Sequence, residues 1–154
     1  MLMTGLSRRQ MEYRHSLSKF CTVCTIAGYY FMFKSMLIAG AGGFAGTCLR
    51  FLVGRFCAAT FHGLFPVATL TVNLAGCFLI GILFGLSEKT QWLTPSANLL
   101  LTAGFCGGFT TYSSFANEVW TLGSRGAWSL SAVYTIITIL AGVLAVWGGR
   151  ALIR

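Results

Sequence analysis

The sequence is poor in charged residues, and this scarcity sets its class. Of its 154 residues only 9% are Asp, Glu, Lys or Arg, whereas 56% are hydrophobic and the mean hydropathy is +0.76. Soluble domains carry a charge at roughly one residue in four. The composition therefore predicts a membrane protein.

Acidic residues and histidines are scarce as well, with three Asp plus Glu and two His beside six scattered Cys. Catalysis by a carboxylate pair and metal sites made of side chains both need several such groups to converge. The sequence therefore indicates that the protein is not an enzyme. Cys21 and Cys24 form one CxxC pair, which is weak support for metal or redox chemistry without a second pair.

The basic residues give a net charge of +8, but they stand singly at the ends of apolar runs. A nucleic-acid surface needs such residues clustered on a solvated patch. We therefore expect no nucleic-acid partner, and we interpret these residues as determinants of orientation in a lipid bilayer.

Four apolar windows after residue 35 reach the length of about 20 residues that a transmembrane helix needs. The windows are 36–61, 66–87, 97–122 and 128–149. Indole rings favour the headgroup region, and the four tryptophans fall near predicted span ends: Trp92, Trp120, Trp128 and Trp147. The sequence thus predicts an all-α membrane protein with four transmembrane helices.

Residues 1–35 differ from the rest, because four basic residues precede a short apolar run from Phe20 to Phe33. This run is short for a membrane span. Three interpretations stay open: a signal-like segment, an interfacial helix, or an extension produced by a mis-assigned start, since Met36 begins an equally plausible chain. We divide the chain into an N-terminal extension, 1–35, and a four-helix transmembrane domain, 36–154.

The basic residues of the transmembrane domain are almost evenly divided between its two sides. With four spans, Lys89, Arg150 and Arg154 share one side, and Arg55 and Arg125 share the other. The rule that Lys and Arg fix orientation then barely operates, so we expect insertion in both directions. The basic residues of the extension would instead fix one orientation. Four helices of this size leave no wide lumen, so a pore would need a partner copy.

The third span is too rich in glycine and hydroxyl residues to be a continuous lipid-facing helix. Gly104, Gly107 and Gly108 precede a polar run that includes Thr110 and Thr111. Backbone groups freed in a membrane need protein, water or an ion as partners, and broken transporter helices bind cations through such carbonyls. The pattern predicts a broken helix with an ion site; close packing through small residues is the alternative.

Three side chains of the second and third spans are candidates for an anion pathway. Tyr112 and Phe115 would share one face of a half-helix that starts near Thr111. The positive edges of their rings would favour a small anion, although such pairs most often only pack. Asn73 is an amide among apolar residues and needs a partner, which is either the anion or another helix.

Further polar residues lie in the other spans. Tyr134 and Thr138 offer hydroxyl donors four residues apart, although each could equally bond to the backbone. Arg50, in the first span, needs carbonyl partners or a route to the interface, and with Ser113 it is a candidate for a structural or gating role. Glu118, the only acid in any span, is expected at headgroup level near a tryptophan.

Three segments of this chain resemble the CrcB or Fluc fluoride channels of bacteria. The segments run from Gly42 to Phe51, from Thr69 to Gly76 and from Gly104 to Phe115. The resemblance covers nearly all of residues 36–154, and residues 1–35 have no counterpart in the usual pattern. It implies a fluoride-selective channel in the bacterial inner membrane, through which toxic cytoplasmic fluoride leaves passively.

The resemblance also implies an antiparallel, dual-topology homodimer with two fluoride pathways and a central structural sodium ion, with no organic cofactor. Carbonyls of Gly107 and Thr110 from both subunits would hold the sodium. The side chains that would face fluoride are Asn73, Tyr112, Phe115, Tyr134 and Thr138. The family usually has Phe at the position of Tyr112, so conduction and selectivity are expected to depend on this residue.

Two other functions fit a small four-helix membrane protein. Small dual-topology multidrug transporters export lipophilic cations through a Glu in their first span, but no acid occurs between Met36 and Phe65, and Arg50 would repel a cation. A purely structural membrane subunit would explain the glycines. It would not explain a broken helix, an aromatic pair and Asn73 occurring together.

Overall fold

A computed structural model describes the backbone of residues 8–89 and 93–153 and the side chains from Gly28 onward within these ranges. Trp92, Arg154 and the side chains of Cys21 and Cys24 lie outside the described residues. Every regular element within the described ranges is helical, in agreement with the predicted all-α class.

The helices follow one another with short connections. Their bounds are α1 Arg8–Thr60, α2 Val67–Lys89, α3 Pro95–Leu99, a π-helix Leu100–Cys106, α4 Gly107–Phe109, α5 Tyr112–Ser124 and α6 Trp128–Leu152. Pro66 directly precedes α2 and Pro95 is the first residue of α3, where the missing proline N–H leaves no hydrogen bond unmade. Thr94 caps α3 by accepting a hydrogen bond from the backbone N of Ala97.

Among the described residues, three helices are long and apolar enough to cross a membrane: Gly28–Thr60, Val67–Lys89 and Trp128–Leu152. The second and third of these match the predicted windows 66–87 and 128–149 closely. The predicted window 97–122 is divided among α3, the π-helix, α4 and α5, so no single helix fills it.

The start of α1 differs from the prediction. The sequence suggested a short apolar run ahead of a span that begins near residue 36, whereas α1 is continuous from Arg8. The reason is that no proline interrupts residues 8–60, and a lone glycine weakens a helix without ending it. One compact unit of the chain ends at Met36 and a second comprises Leu37–Arg154; the site described below belongs to the second.

Glycines permit close approach of helix backbones at two places in the fold. A Cβ added at Gly42 or Gly46 would overlap the carbonyls of Leu100 or Phe105 in the π-helix. A Cβ at Gly81 would overlap a carbonyl of α6. The third segment therefore packs directly on the backbone of α1, and α2 packs on that of α6.

Candidate functional site

The helical chain breaks at Thr110 and Thr111. Both residues have extended backbone conformations, with φ/ψ of −82°/158° and −148°/112°. Helix α5 begins at the next residue, and the hydroxyl of Thr111 caps it by accepting a hydrogen bond from Ser114 N at 3.2 Å. The predicted half-helix starting near Thr111 is confirmed.

Asn73 of α2 binds the backbone at this break through both ends of its amide. Its Oδ1 accepts from Thr111 N at 2.8 Å, and its Nδ2 donates to the Thr111 carbonyl at 3.2 Å. Extended backbone in a membrane needs such partners because water is absent. The helix-to-helix hydrogen bond considered for Asn73 is therefore present, and its partner is the break itself.

These hydrogen bonds take helical partners away from two carbonyls. In a continuous α-helix the Gly107 carbonyl would accept from Thr111 N, and the Thr110 carbonyl would accept from Ser114 N. The first donor goes to Asn73 and the second to the Thr111 hydroxyl. Gly107 and Thr110 are the residues whose carbonyls the resemblance assigned to sodium.

The backbone of Gly107 is not unusual, however. Its φ and ψ are −63° and −38°, ordinary helical values, and a Cβ added there would meet nothing within 4 Å. Glycine at position 107 is therefore not required for a backbone conformation that only glycine adopts. Any requirement for glycine here must come from what lies against its open face.

A groove of about 750 Å³ lies beside the break, and its lining is mostly apolar. Six of the predicted site residues line it: Asn73, Gly107, Thr110, Tyr112, Phe115 and Thr138. They come from α2, the broken third segment and α6, which are separated in sequence by up to 65 positions. The fold thus brings most of the predicted site together on one surface.

The aromatic residues form a connected row from the groove into the core. Tyr112 is 80% exposed and Phe115 is 8% exposed, with ring centroids 5.9 Å apart and planes tilted by 50°. The ring centroid of Phe115 lies 5.3 Å from that of Tyr134, and the rings of Tyr134 and Phe65 form a T-shaped pair with centroids 5.5 Å apart. The predicted pairing of Tyr112 with Phe115 on one face of α5 is present.

Tyr134 and Thr138 use their hydroxyl hydrogens within the protein. Tyr134 is fully buried, does not line the groove, and donates to Glu118 Oε2 at 2.8 Å. Thr138 donates to the Tyr134 carbonyl at 2.7 Å. Thr138 therefore bonds to the backbone, which is the alternative considered for both hydroxyls. Tyr134 bonds to a side chain instead.

Glu118 has two hydrogen-bond partners that the sequence did not predict, and its place at headgroup level stays a prediction. The carboxylate is half-buried and accepts from two hydroxyls, those of Thr69 at 2.6 Å and Tyr134 at 2.8 Å. One feature of the sequence indicated that Glu118 faces the site: it follows Phe115 by three residues and so shares its helix face. Glu118 thus ties α5 to both α2 and α6.

Arg50 and Ser113 lie outside the groove lining. Arg50 is half-buried, and its Nε is buried without a hydrogen-bond partner in the described part of the chain. Ser113 is exposed, with its hydroxyl 3.3 Å from that of Thr111 at the cap of α5. Ser113 is therefore placed to affect the break.

Residues 37–150 match the family described as CrcB-like protein, Camphor Resistance (CrcB). The chain belongs to this family. The match begins one residue after Met36 and includes every predicted site residue, from Arg50 to Thr138. The resemblance noted from three short segments is confirmed over three quarters of the chain.

Curated relatives in the CrcB-like family carry the name fluoride-specific ion channel FluC. The protein of Azobacteroides pseudotrichonymphae is 42% identical over 121 residues, which cover 79% of this chain and 97% of the relative. The protein of Chlorobium phaeobacteroides is 43% identical over 122 residues, covering 79% and 94%. That of Pseudomonas fluorescens is 38% identical over 123 residues, covering 80% and 99%.

Proposed function

We propose that this chain is a fluoride channel, a multi-pass protein of the bacterial inner membrane through which fluoride leaves the cell passively. One observation carries the proposal: the groove collects Asn73, Tyr112, Phe115 and Thr138 beside a broken helix, in a chain whose relatives are named fluoride-specific channels. An ion channel needs no catalytic residues, which agrees with the scarcity of acids and histidines.

Weak, distributed contacts suit passage of a small anion. Among the described residues that line the groove there is no Lys or Arg, and a fixed cation in a low dielectric would hold fluoride too tightly for it to leave. The ring edges of Tyr112 and Phe115 carry positive potential. The Asn73 amide has two N–H groups. One donates to the Thr111 carbonyl, and the second is an uncharged donor that would hydrogen-bond the anion.

The active form in this proposal is an antiparallel homodimer of four-span subunits. Tyr112 is 80% exposed although it lies at the head of a membrane-embedded half-helix, and the groove beside it is partly open. A second copy would cover the open side and enclose the aromatic pair. The broken third segment would then be the remaining span.

Efflux from liposomes tests the function directly. Purified protein in liposomes loaded with fluoride or chloride should release fluoride at least a hundredfold faster than chloride, as measured with ion-selective electrodes. A proton gradient should instead drive uptake of a lipophilic cation if the protein is a multidrug transporter. Release of neither anion would leave a structural subunit as the better interpretation.

The even division of basic residues between the two sides predicts how a chain starting at Met36 inserts into the membrane. A protein that starts at Met36 should insert in both directions and form antiparallel dimers, because its basic residues barely favour either side. Reporter fusions at the C-terminus should show both cytoplasmic and periplasmic locations. The chain from Met1 should show one location, and a single location for both versions would contradict the prediction.

The proposed dimer also binds a central sodium ion. The carbonyls of Gly107 and Thr110 are released from helical hydrogen bonds, and carbonyl oxygens replace the water around such a cation. A sodium ion bound by both subunits would hold the dimer together without being transported. The supporting observation is the diversion of the Thr111 and Ser114 N–H groups described above.

Substitution at Gly107 tests this ion site. Gly107→Leu should weaken the dimer and abolish its dependence on sodium, because the side chain would fill the open face where the partner's carbonyls approach. Thr110→Ala should change little, since only the carbonyl of Thr110 is used. Gly54→Leu is the matched control, because Gly54 also has open space around it. Sodium-dependent dimer stability is measured by sedimentation in detergent, and equal tolerance of Leu at both positions would argue against the site.

A further inference from the structure

Two cysteines line the groove beside the break, and the proposed fluoride pathway uses neither of them. They are Cys77 of α2 and Cys106, the last residue of the π-helix, and both are free thiols. Cys77 is half-buried and Cys106 is 1% exposed. The two thiols are close enough to interact electrostatically, so one small ligand can contact both.

Close packing of α2 on the break brings the two cysteines together. A Cβ added at Gly76, the residue before Cys77, would overlap the methyl group of Thr110. Thr110 in turn donates to the Cys106 carbonyl through its backbone N at 3.0 Å and through its hydroxyl at 2.9 Å. The backbone of α2 at Cys77 therefore lies beside the turn that begins at Cys106.

The surroundings of the two sulfur atoms are apolar and leave some space. A Cβ added at Gly142 of α6 would lie 3.6 Å from Cys77 Sγ, which is an ordinary contact distance, so there is room for an additional atom beside this sulfur. Among the described residues that line the groove there is no His, Asp or Glu. A metal ion at this place would therefore have two sulfur ligands from side chains and no carboxylate to balance extra charge.

Ligand number and charge decide which metal such a site takes. Thiolates are soft ligands and favour soft metal ions. Zinc is held by three or four protein ligands, which the groove does not offer. A copper(I) or silver(I) ion between two thiolates would carry a net negative charge, which is costly in apolar surroundings. A mercury(II) ion between two thiolates is neutral and has no such cost.

We propose that Cys77 and Cys106 bind one mercury(II) ion between their sulfur atoms. Mercuric chloride is small and neutral, so the apolar lining does not exclude it. In the reaction two sulfur–mercury bonds form, two chlorides and two protons leave, and no atom is oxidised or reduced.

The bound ion would obstruct the groove. Cys77 follows Asn73 by one helical turn on α2, and Gly142 follows Thr138 by one turn on α6. The ion would thus lie roughly 5 Å along the groove from the proposed fluoride contacts, the length of one turn. This consequence rests on the proposed fluoride channel, whereas the binding of mercury does not.

Competition with a simple thiol tests the binding in the full chain. The other four cysteines are replaced by Ala: Cys21→Ala, Cys24→Ala, Cys48→Ala and Cys57→Ala. The protein in detergent is treated with mercuric chloride and passed through a gel-filtration column in millimolar 2-mercaptoethanol, and atomic absorption measures the mercury retained. We expect about tenfold more retained mercury, or a larger excess, than when Cys77→Ala or Cys106→Ala is added, because two thiols held in place act together.

A matched control keeps the number of thiols constant. A protein with only Cys48 and Cys57 has two cysteines on opposite faces of α1, since they are two and a half helical turns apart. It should retain no more mercury than a single-cysteine protein. Retention by this control, or by either single-cysteine protein, equal to that of the Cys77/Cys106 protein would overturn the proposal. Two single-cysteine proteins are compared, so misfolding of one does not hide the answer.

Fluoride efflux from liposomes tests the obstruction separately. Mercury should slow efflux through the Cys77/Cys106 protein at least tenfold, and a dithiol should restore it. The protein with only Cys48 and Cys57 should continue to conduct. Efflux that continues while mercury stays bound would overturn the obstruction. Absence of efflux before mercury is added would instead contradict the proposed function, and the retention experiment would still decide whether the two thiols bind mercury.

Discussion

Phe115→Ile should abolish fluoride efflux, or slow it at least a hundredfold, while the proposed dimer still forms. The substitution nearly keeps the apolar volume, so packing of the 8%-exposed side chain changes little. What disappears is the positive ring edge and the ring contact with Tyr112 and Tyr134. Loss of conduction is measured as fluoride efflux from liposomes, and dimer formation is measured by cross-linking in detergent.

Two further variants separate this ring from its neighbours. Tyr112→Phe should keep conducting, because the ring remains and the usual residue of the family is restored. Phe109→Ile is a matched control, since Phe109 is also buried beside the break but does not line the groove. Undiminished efflux in Phe115→Ile, or an equal loss in Phe109→Ile, would show that the aromatic pair only packs.

Asn73→Asp should also block efflux, for two physical reasons. The new carboxylate still accepts from Thr111 N, but its second oxygen would face the Thr111 carbonyl, where Nδ2 now donates. Two acceptors then oppose each other, and an ionised Asp would also repel fluoride. Loss of a partly buried hydrogen bond with an acceptor left unpaired costs about 1–3 kcal/mol, so we also expect a lower unfolding temperature.

A neutral substitution tests whether the Asn73 amide is needed when no charge is added. Asn73→Ala removes both hydrogen bonds to Thr111 without adding charge, so it should lower thermal stability and also block efflux. Asn117→Asp is the control for added charge, because Asn117 is exposed on α5 outside the groove. Normal efflux and stability in both Asn73 variants would show that the amide is dispensable.

The sequence predicted those parts of the fold that depend on neighbouring residues. Pro66 and Pro95 mark helix starts, and the cluster of glycines and threonines marks the break at Thr110 and Thr111, because these residues alter the backbone locally. The partners of Glu118 were not predictable in the same way. Thr69 is 49 positions away from it in the chain, and only the packing of α2 on α5 shows that the two side chains meet.

The same distinction between local sequence and tertiary packing applies to the candidate site. Residue type identified Asn73, Tyr112 and Phe115 as unusual in a membrane helix, and the structure places all three in one groove. Residue type did not reveal that the Tyr134 hydroxyl is bound by Glu118, because a hydroxyl in a helix has several possible partners.

The glycine contacts between α1 and the third segment restrict how the protein can change shape. Gly42, Gly46, Gly104 and Gly108 each sit against backbone of the opposing helix with no room for a Cβ. A slip by one residue would bring a side chain such as that of Phe105 into this gap, so sliding of packed helices, a common mode of switching, is blocked here. We expect the N-terminal side of the break to act as a fixed frame, and any hinge motion to be confined to α5.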